Sequence, residues 1–257
     1  MTTELLTDRQ GSTLVMTLSG PARRNALSPQ VYAAGIEALN MAETNPEVRA
    51  VVITGAQGHF CAGGDLQRLA HNRANDLQAQ GANIDAFHQW IEGLRSFPKP
   101  VIAAVEGVAA GGGVSLALAC DLIVAAEDAR FVLAYGQVGL SPDGGASWHL
   151  TRVLGRSGAL AMLWAGQDRQ LSSASHWHQV GLVQRLAPQG TVLQAALNWA
   201  DELARIPGGA LSSMKELVTD ADQALHLHLL TEKQHFLENL ERPEAGEAID
   251  RFLKPRS

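Results

Sequence analysis

Apolar positions along the chain follow two rhythms. Thr13-Leu14-Val15-Met16-Thr17-Leu18 alternates in part, as a half-buried strand does. Pro21 and Asn25 break that pattern. Ser28-Pro29 then reads as the cap and first residue of a helix running to about Glu43. Val48 to Thr54 (VRAVVIT) predicts a buried strand ended by Gly55. Residues 71–83 are polar and rich in Asn and Gln, which predicts a mobile loop or frayed helix. Ile84 to Phe97 predicts an amphipathic helix stopped by Pro98 and Pro100. Val101 to Val105, Leu122 to Ala126 and Phe131 to Ala134 predict further strands, and Gly111-Gly112-Gly113 leads into a small-residue helix, Val114 to Ala119.

From about Gly144 the strand signals vanish. Helices are expected at 145–154, 156–164, 172–180 and 191–205. Beyond Ile206-Pro207-Gly208-Gly209, the tail from Ala210 to Leu253 predicts two or three more, with Leu225, Leu229, Phe236, Leu237 and Leu240 at helical spacing. Wholly apolar strands separated by helices argue for an α/β fold with a parallel sheet. The expected division is a core over residues 1–205 and a helical region over 206–257.

Composition narrows the function. Of 257 residues, 46% are apolar and 18% charged, enough for a full core and against disorder. A net charge of −6 with only four lysines makes nucleic-acid binding a poor expectation, because counterion release needs clustered cations. Cys61 and Cys120 make neither a disulfide framework nor a metal quartet, and no metal is expected. No run of 18 uncharged apolar residues exists, so no membrane span is expected. Met1 to Gly11 lacks the basic and apolar regions of a secretion signal, and a cytoplasmic location is expected. The 39 alanines and 25 glycines are the unusual feature. They concentrate between Ala103 and Ala126, where half the residues are one or the other, which implies backbone packed close to backbone.

Candidate chemistry follows the glycines. Cys61-Ala62-Gly63-Gly64-Asp65 and Ala110-Gly111-Gly112-Gly113 are both strand-to-helix junctions. Each exposes unhindered N–H groups at a helix N-terminus, a ready anion site. Converging, they would supply two donors to one developing oxyanion. Neither fits a phosphate-binding or dinucleotide-binding fingerprint. Asp143, in Leu140-Ser141-Pro142-Asp143-Gly144-Gly145, is either a helix cap or a catalytic carboxylate on a rigid loop.

The motifs together resemble the crotonase superfamily, the enoyl-CoA hydratase/isomerase family. They are Pro21 to Leu27 (PARRNAL), Val51 to Gly55, Phe60 to Leu66 (FCAGGDL), Pro98 to Asp121, Phe131, and Gly139 to Gly145 (GLSPDGG). The resemblance implies a spiral of ββα units and a C-terminal helical trimerisation region, with a homotrimer or a hexamer built as a dimer of trimers. It implies an acyl-CoA thioester substrate, with coenzyme A part of that substrate and no separate cofactor. It also implies an oxyanion hole from the backbone N–H groups of Gly64 and Gly112. Coenzyme A is expected along Ala22, Arg23, Arg24, Ala26 and Leu27 and along Ala62, Asp65 and Leu66, with Arg23 or Arg24 meeting phosphates. Gly111, Ser115, Tyr135, Pro142 and Gly144 are expected around the bound acyl thioester.

The departures from the family pattern carry as much meaning. Hydratases of this family use two glutamates to hold and activate water. Ser115 and Tyr135 stand at those positions, and neither is a useful general base near neutral pH. The remaining acid is Asp143, at the place of the aspartate in phenylacetate-pathway-type isomerases and hydrolases. A single carboxylate suits proton transfer between C2 and C4 of an enoyl thioester. His88, 24 residues before Gly112, matches a histidine that assists an aspartate nucleophile in a dehalogenase of the family. Three readings result. The first is an isomerase or hydratase using Asp143 in fatty-acid or aromatic-acid degradation. The second is a hydrolytic or nucleophilic enzyme using Asp143 and His88, of the oxepin-CoA hydrolase or 4-chlorobenzoyl-CoA dehalogenase kind. The third is a non-catalytic CoA-ester-binding protein.

Overall fold

The computed structural model describes residues 2–166, 168–219, 221, 225–245 and 247. The chain begins with β1 (Glu4–Gln10), β2 (Thr13–Ser19), α1 (Pro29–Thr44), β3 (Ala50–Gly55), α2 (Leu66–Asn75) and α3 (Leu77–Ser96). It continues with β4 (Val101–Val105), β5 (Val108–Ala110), α4 (Gly112–Ala119), β6 (Leu122–Ala126) and β7 (Arg130–Val132). It ends with α5 (Ala146–Ala165), α6 (Ala174–Gln179), β8 (Arg185–Ala187), α7 (Val192–Ala204), α8 (Gly208–Thr219) and α9 (Leu225–Leu240).

Six strands form the main sheet in the order β1-β2-β3-β4-β6-β8, and β5 pairs with β7 in a second, two-stranded sheet. Every pairing is parallel except β1 with β2. The central strands are buried on both faces, so they read as apolar runs: Val51, Val52, Ile53, Ile102, Ala103, Ala104, Val124 and Ala125 are all inaccessible to solvent. Helix α7 covers β3, β4 and β6, while α1 packs on α3. There the Trp90 ring occupies the space where a Cβ on Gly35 would stand. Ser28 caps α1 as expected, its Oγ accepting from Val31 N–H at 3.4 Å.

Three expectations need correction, and a fourth is narrowed. Strand β1 was not foreseen, because nearly all its side chains face solvent and no apolar alternation marks it. Its register with β2, from Glu4 opposite Ser19 to Gln10 opposite Thr13, makes it a strand. Of the two alternatives for residues 71–83, a mobile loop or a frayed helix, the structure has helix. Asp76 separates α2 from α3 and caps the latter, accepting from Ala79 N–H at 2.9 Å. Asn72 Nδ2 donates to Gln80 Oε1 at 3.0 Å across that junction, so the polar residues bond one another. The strand expected over Phe131 to Ala134 is instead Arg130–Val132, followed by a 3-10 segment, Ala134–Val138. Strand β8 lies beyond Gly144, and at three residues it was too short to show a period.

Gly155, with φ +67°, divides α5 into two helical runs near the boundary the sequence suggested. The part of the expected tail from Ala248 to Leu253 lies outside the described residues. Among the described residues no helix is long and apolar enough to cross a membrane, and no group of three His, Cys, Asp or Glu could hold a metal.

Candidate active site

The two glycine-rich loops are stitched together edge to edge. Cys61 N–H donates to Val108 O at 3.1 Å, and Ala110 N–H to Cys61 O at 2.9 Å. Gly63 has φ +85°, and a Cβ there would stand 2.5 Å from Ala110 O and 3.2 Å from Gly112 N. A Cβ on Gly113 would stand 2.5 Å from Cys61 O. At Gly63 and Gly113 glycine is therefore a packing requirement: only a residue without a Cβ lets these backbones approach. Gly64 is solvent-exposed, and Gly112 is the buried first residue of α4. Neither N–H finds an acceptor among the described residues. That of Gly112 also sits at the positive end of a helix.

The segment expected along coenzyme A runs beside these loops. Leu27 N–H donates to Gly63 O at 2.7 Å, and Ala62 N–H to Arg24 O at 3.0 Å. Ala26 and Leu27 are buried, whereas Ala22, Arg24, Ala62 and Leu66 are exposed. The Arg23 guanidinium pairs with the Asp65 carboxylate. Asp65 also caps α2, accepting from Gln67 N–H at 3.0 Å and Arg68 N–H at 3.4 Å. Arg23 and Asp65 thus hold each other, and Arg24 is the exposed cation.

Asn25, seen in the sequence only as a break, organises this segment. It is fully buried in a left-handed conformation, φ +60°. Its Nδ2 donates to Ala56 O at 3.0 Å and His59 O at 2.8 Å, and its Oδ1 accepts from Gly20 N–H at 2.9 Å. A buried polar side chain with those partners locks two loops, and asparagine tolerates the backbone better than most residues.

Asp143 lies on the loop between the 3-10 segment and α5, half-buried with Pro142. Tyr135 Oη donates to Asp143 Oδ1 at 3.0 Å. Ser115 Oγ donates to the Asp143 backbone carbonyl at 2.7 Å, and the two hydroxyls lie 3.0 Å apart. Burial first, and the Asp143 charge second, push the Tyr135 phenol well above its usual value, so it remains a donor. Tyr32, not singled out in the sequence, is shifted the same way for the same causes. Its ring lies 5.2 Å from that of Phe87.

Phe87 and His88 on α3 support the Asp143 loop. Gly144 N–H donates to His88 Nε2 at 3.2 Å. Gly144 has φ +56°, and a Cβ there would stand 2.8 Å from both Phe87 Cζ and Ser115 Cβ. A Cβ on Gly112 would lie 3.6 Å from Phe87 Cε1. One buried ring therefore sits beside both Gly112 and Gly144. The available signal for Phe87 was its apolar position on an amphipathic helix next to His88. Tyr32 showed only as an aromatic on the buried face of α1.

Other candidates have structural partners. Cys61 is buried, with its thiol pushed up to about 12 by desolvation. Asp121 Oδ2 accepts from Val101 N–H and from Lys215 Nζ, both at 2.8 Å, tying the start of β4 to α8. Glu106 Oε1 accepts from Gly190 N–H at 2.9 Å and Val192 N–H at 3.3 Å at the head of α7.

Comparison with known proteins identifies the family. The enoyl-CoA hydratase/isomerase family model matches residues 8–257. The chain is 31% identical to the 1,2-epoxyphenylacetyl-CoA isomerase of Escherichia coli K12, over 98% of this chain and 96% of that one. It is 36% identical to the 2,3-dehydroadipyl-CoA hydratase of the same organism, over 99% and 97%. The crystal structure of an enoyl-CoA hydratase from Polaromonas sp. JS666 superposes with a TM-score of 0.94 at 50% identity, covering 97% of this chain and 96% of that one. With a family match across nearly its whole length and a fold shared with a solved relative at high identity, the chain is a member of the enoyl-CoA hydratase/isomerase family of the crotonase superfamily.

Proposed function

We propose that this acyl-CoA enzyme forms a thioester enolate whose oxygen is held by the Gly64 and Gly112 N–H groups, with Asp143 as the acid and base. The reaction it fits best is movement of a double bond in an enoyl-CoA thioester. One observation carries the reading. Helix α4 presents Gly112 at its first residue and, three residues on, Ser115, whose hydroxyl binds the Asp143 carbonyl at 2.7 Å. One candidate oxyanion donor, Gly112, and the loop that carries the candidate base thus share one rigid support.

In this scheme Asp143 takes a proton from one carbon of the substrate. Negative charge moves to the thioester oxygen, where two N–H donors stabilise it without reorganisation. Asp143 then returns the proton at the other end of the allylic system, so one carboxylate suffices. Hydration would need a second group to activate water, and the two hydroxyls at the glutamate positions are poor bases. The relatives' names include both an isomerase and a hydratase, and the side chains around Asp143 favour the former. His88 spends its Nε2 lone pair on Gly144 N–H, which supports a loop-holding role over a nucleophilic route through Asp143. The exposed apolar residues Val138 and Leu140 beside the loop suit an apolar acyl group. Coenzyme A would lie along Ala22 to Leu27, with the exposed Arg24 toward its phosphates. The exposed Met214, Val218, Leu230 and Phe236 of α8 and α9 support assembly as a trimer or a dimer of trimers, which light scattering would test.

The deciding experiment is Asp143→Asn with a 3-enoyl-CoA thioester in deuterated water. Turnover and exchange at C2 and C4 should fall by roughly 10²–10⁴-fold while thioester binding persists. Unchanged turnover would overturn the proposal. An ester trapped on Asp143, seen by mass spectrometry, would replace it with the nucleophilic reading.

A further inference from the structure

Three hydrogen-bonding contacts close a ring around Asp143. Tyr135 Oη reaches its Oδ1 at 3.0 Å, Ser115 Oγ reaches its backbone carbonyl at 2.7 Å, and the two hydroxyls meet at 3.0 Å. Ser115 is fully buried and Tyr135 nearly so. Leu140 N–H donates to Tyr135 O at 3.0 Å, so the loop carrying Asp143 is also tied by its backbone to the segment carrying Tyr135. Asp143 Oδ2 takes no hydrogen bond among the described residues.

We propose that Tyr135, supported by Ser115, is a positioning residue that fixes the Asp143 carboxyl with Oδ1 occupied and Oδ2 left for the substrate proton. The inference rests on Asp143 being the acid and base. It gives the two hydroxyls a use other than the substrate contact expected of them from the sequence. A carboxyl group can rotate about its Cβ–Cγ bond, and a free one would present either oxygen at varying angles. A phenol donor on one oxygen removes that freedom. Ser115 Oγ ties the loop backbone to α4 and meets Tyr135 Oη at 3.0 Å, so the two hydroxyls fix the carboxyl as one connected ring. Misplacement by about 1 Å is enough to cost roughly a hundredfold in rate.

The test compares wild type, Tyr135→Phe, Ser115→Ala and the double variant on a 3-enoyl-CoA thioester. Each single change should lower kcat by about ten- to a hundredfold with KM held within about twofold, the split expected when only transition-state alignment is lost. The double variant should be no slower than about the worse single one, because the hydroxyls act as a unit. Tyr135→Phe with full kcat would overturn the inference. So would a raised KM at unchanged kcat, which marks a substrate contact, or multiplicative effects in the double variant. If Tyr135→Phe does not fold, Ser115→Ala reads the same ring. Asp143→Asn separates the two levels. If it retains turnover, the acid–base reading and this inference fall together; if it loses turnover while Tyr135→Phe does not, only this inference falls.

Discussion

The backbone N–H of Gly144 donates to His88 Nε2 at 3.2 Å, one residue beyond Asp143. A bond of this kind needs a neutral imidazole with its Nε2 lone pair free. His88 therefore acts on the Asp143 loop through the backbone. Phe87, its neighbour on α3, sets the same loop by packing.

Replacing His88 distinguishes loop support from proton transfer. His88→Ala should lower kcat about tenfold through loss of one loop hydrogen bond. His88→Gln keeps an acceptor and should recover most of that loss. A fall of about 10³ or more in both variants would mark His88 as a proton-transferring group.

Gly144→Ala should damage stability and rate together. The left-handed backbone and the 2.8 Å approaches to Phe87 and Ser115 leave no room for a methyl group. About 1–3 kcal/mol should be lost in urea denaturation, with kcat falling as Asp143 shifts. Wild-type stability with wild-type kcat would contradict the packing argument.

Asn25→Ala should lower stability by about 1–3 kcal/mol, because it leaves two half-buried carbonyls and the Gly20 N–H without their partner. Asn25→Asp should fare no better, since a carboxylate has no N–H for Ala56 O and His59 O. Denaturant midpoints for the two variants would check both statements.

His149 makes stability depend on pH. Burial first, then the Arg95 and Arg152 charges, lower its pKa from 6.5 to about 4. The unfolded chain takes up this proton at higher pH than the folded one. The contribution is therefore complete above pH 6.5 and is lost as pH falls toward 4. It amounts to about 3 kcal/mol at most. Urea unfolding of wild type and His149→Gln at pH 7 and 4.5 should show a smaller loss in the variant; parallel losses would exclude His149 as the cause.

Arg24 and Arg23 should differ despite being neighbours. Arg24→Ala should raise KM for a CoA thioester several-fold, yet leave KM unchanged for a pantetheine thioester that lacks the nucleotide phosphates. Arg23→Ala should change KM less, because its guanidinium is held by Asp65. Equal effects on both thioesters would remove Arg24 from phosphate binding.

Elements with strong local codes were legible before folding. Ser28-Pro29 announced α1, and the apolar runs announced β3, β4 and β6. Strands β1 and β8 were not legible, since one is exposed and the other has three residues; each exists because a neighbouring strand offers its edge. The Asn- and Gln-rich stretch reads equally as a loop or a frayed helix, and the Asp76 cap decides for helix.

At the site, the order of residues alone showed which groups were available: two glycine loops, Asp143, and the hydroxyls of Ser115 and Tyr135. Motifs are contiguous, and contiguous residues can be read directly. Where those groups point depends on packing between distant segments. Ser115, Tyr135 and Asp143 come from three separate segments, and His88 from a fourth. Their hydrogen bonds form only once α3, α4 and the Asp143 loop have packed around Phe87. The chain specifies a hydroxyl at position 135, and the fold turns it onto a carboxylate.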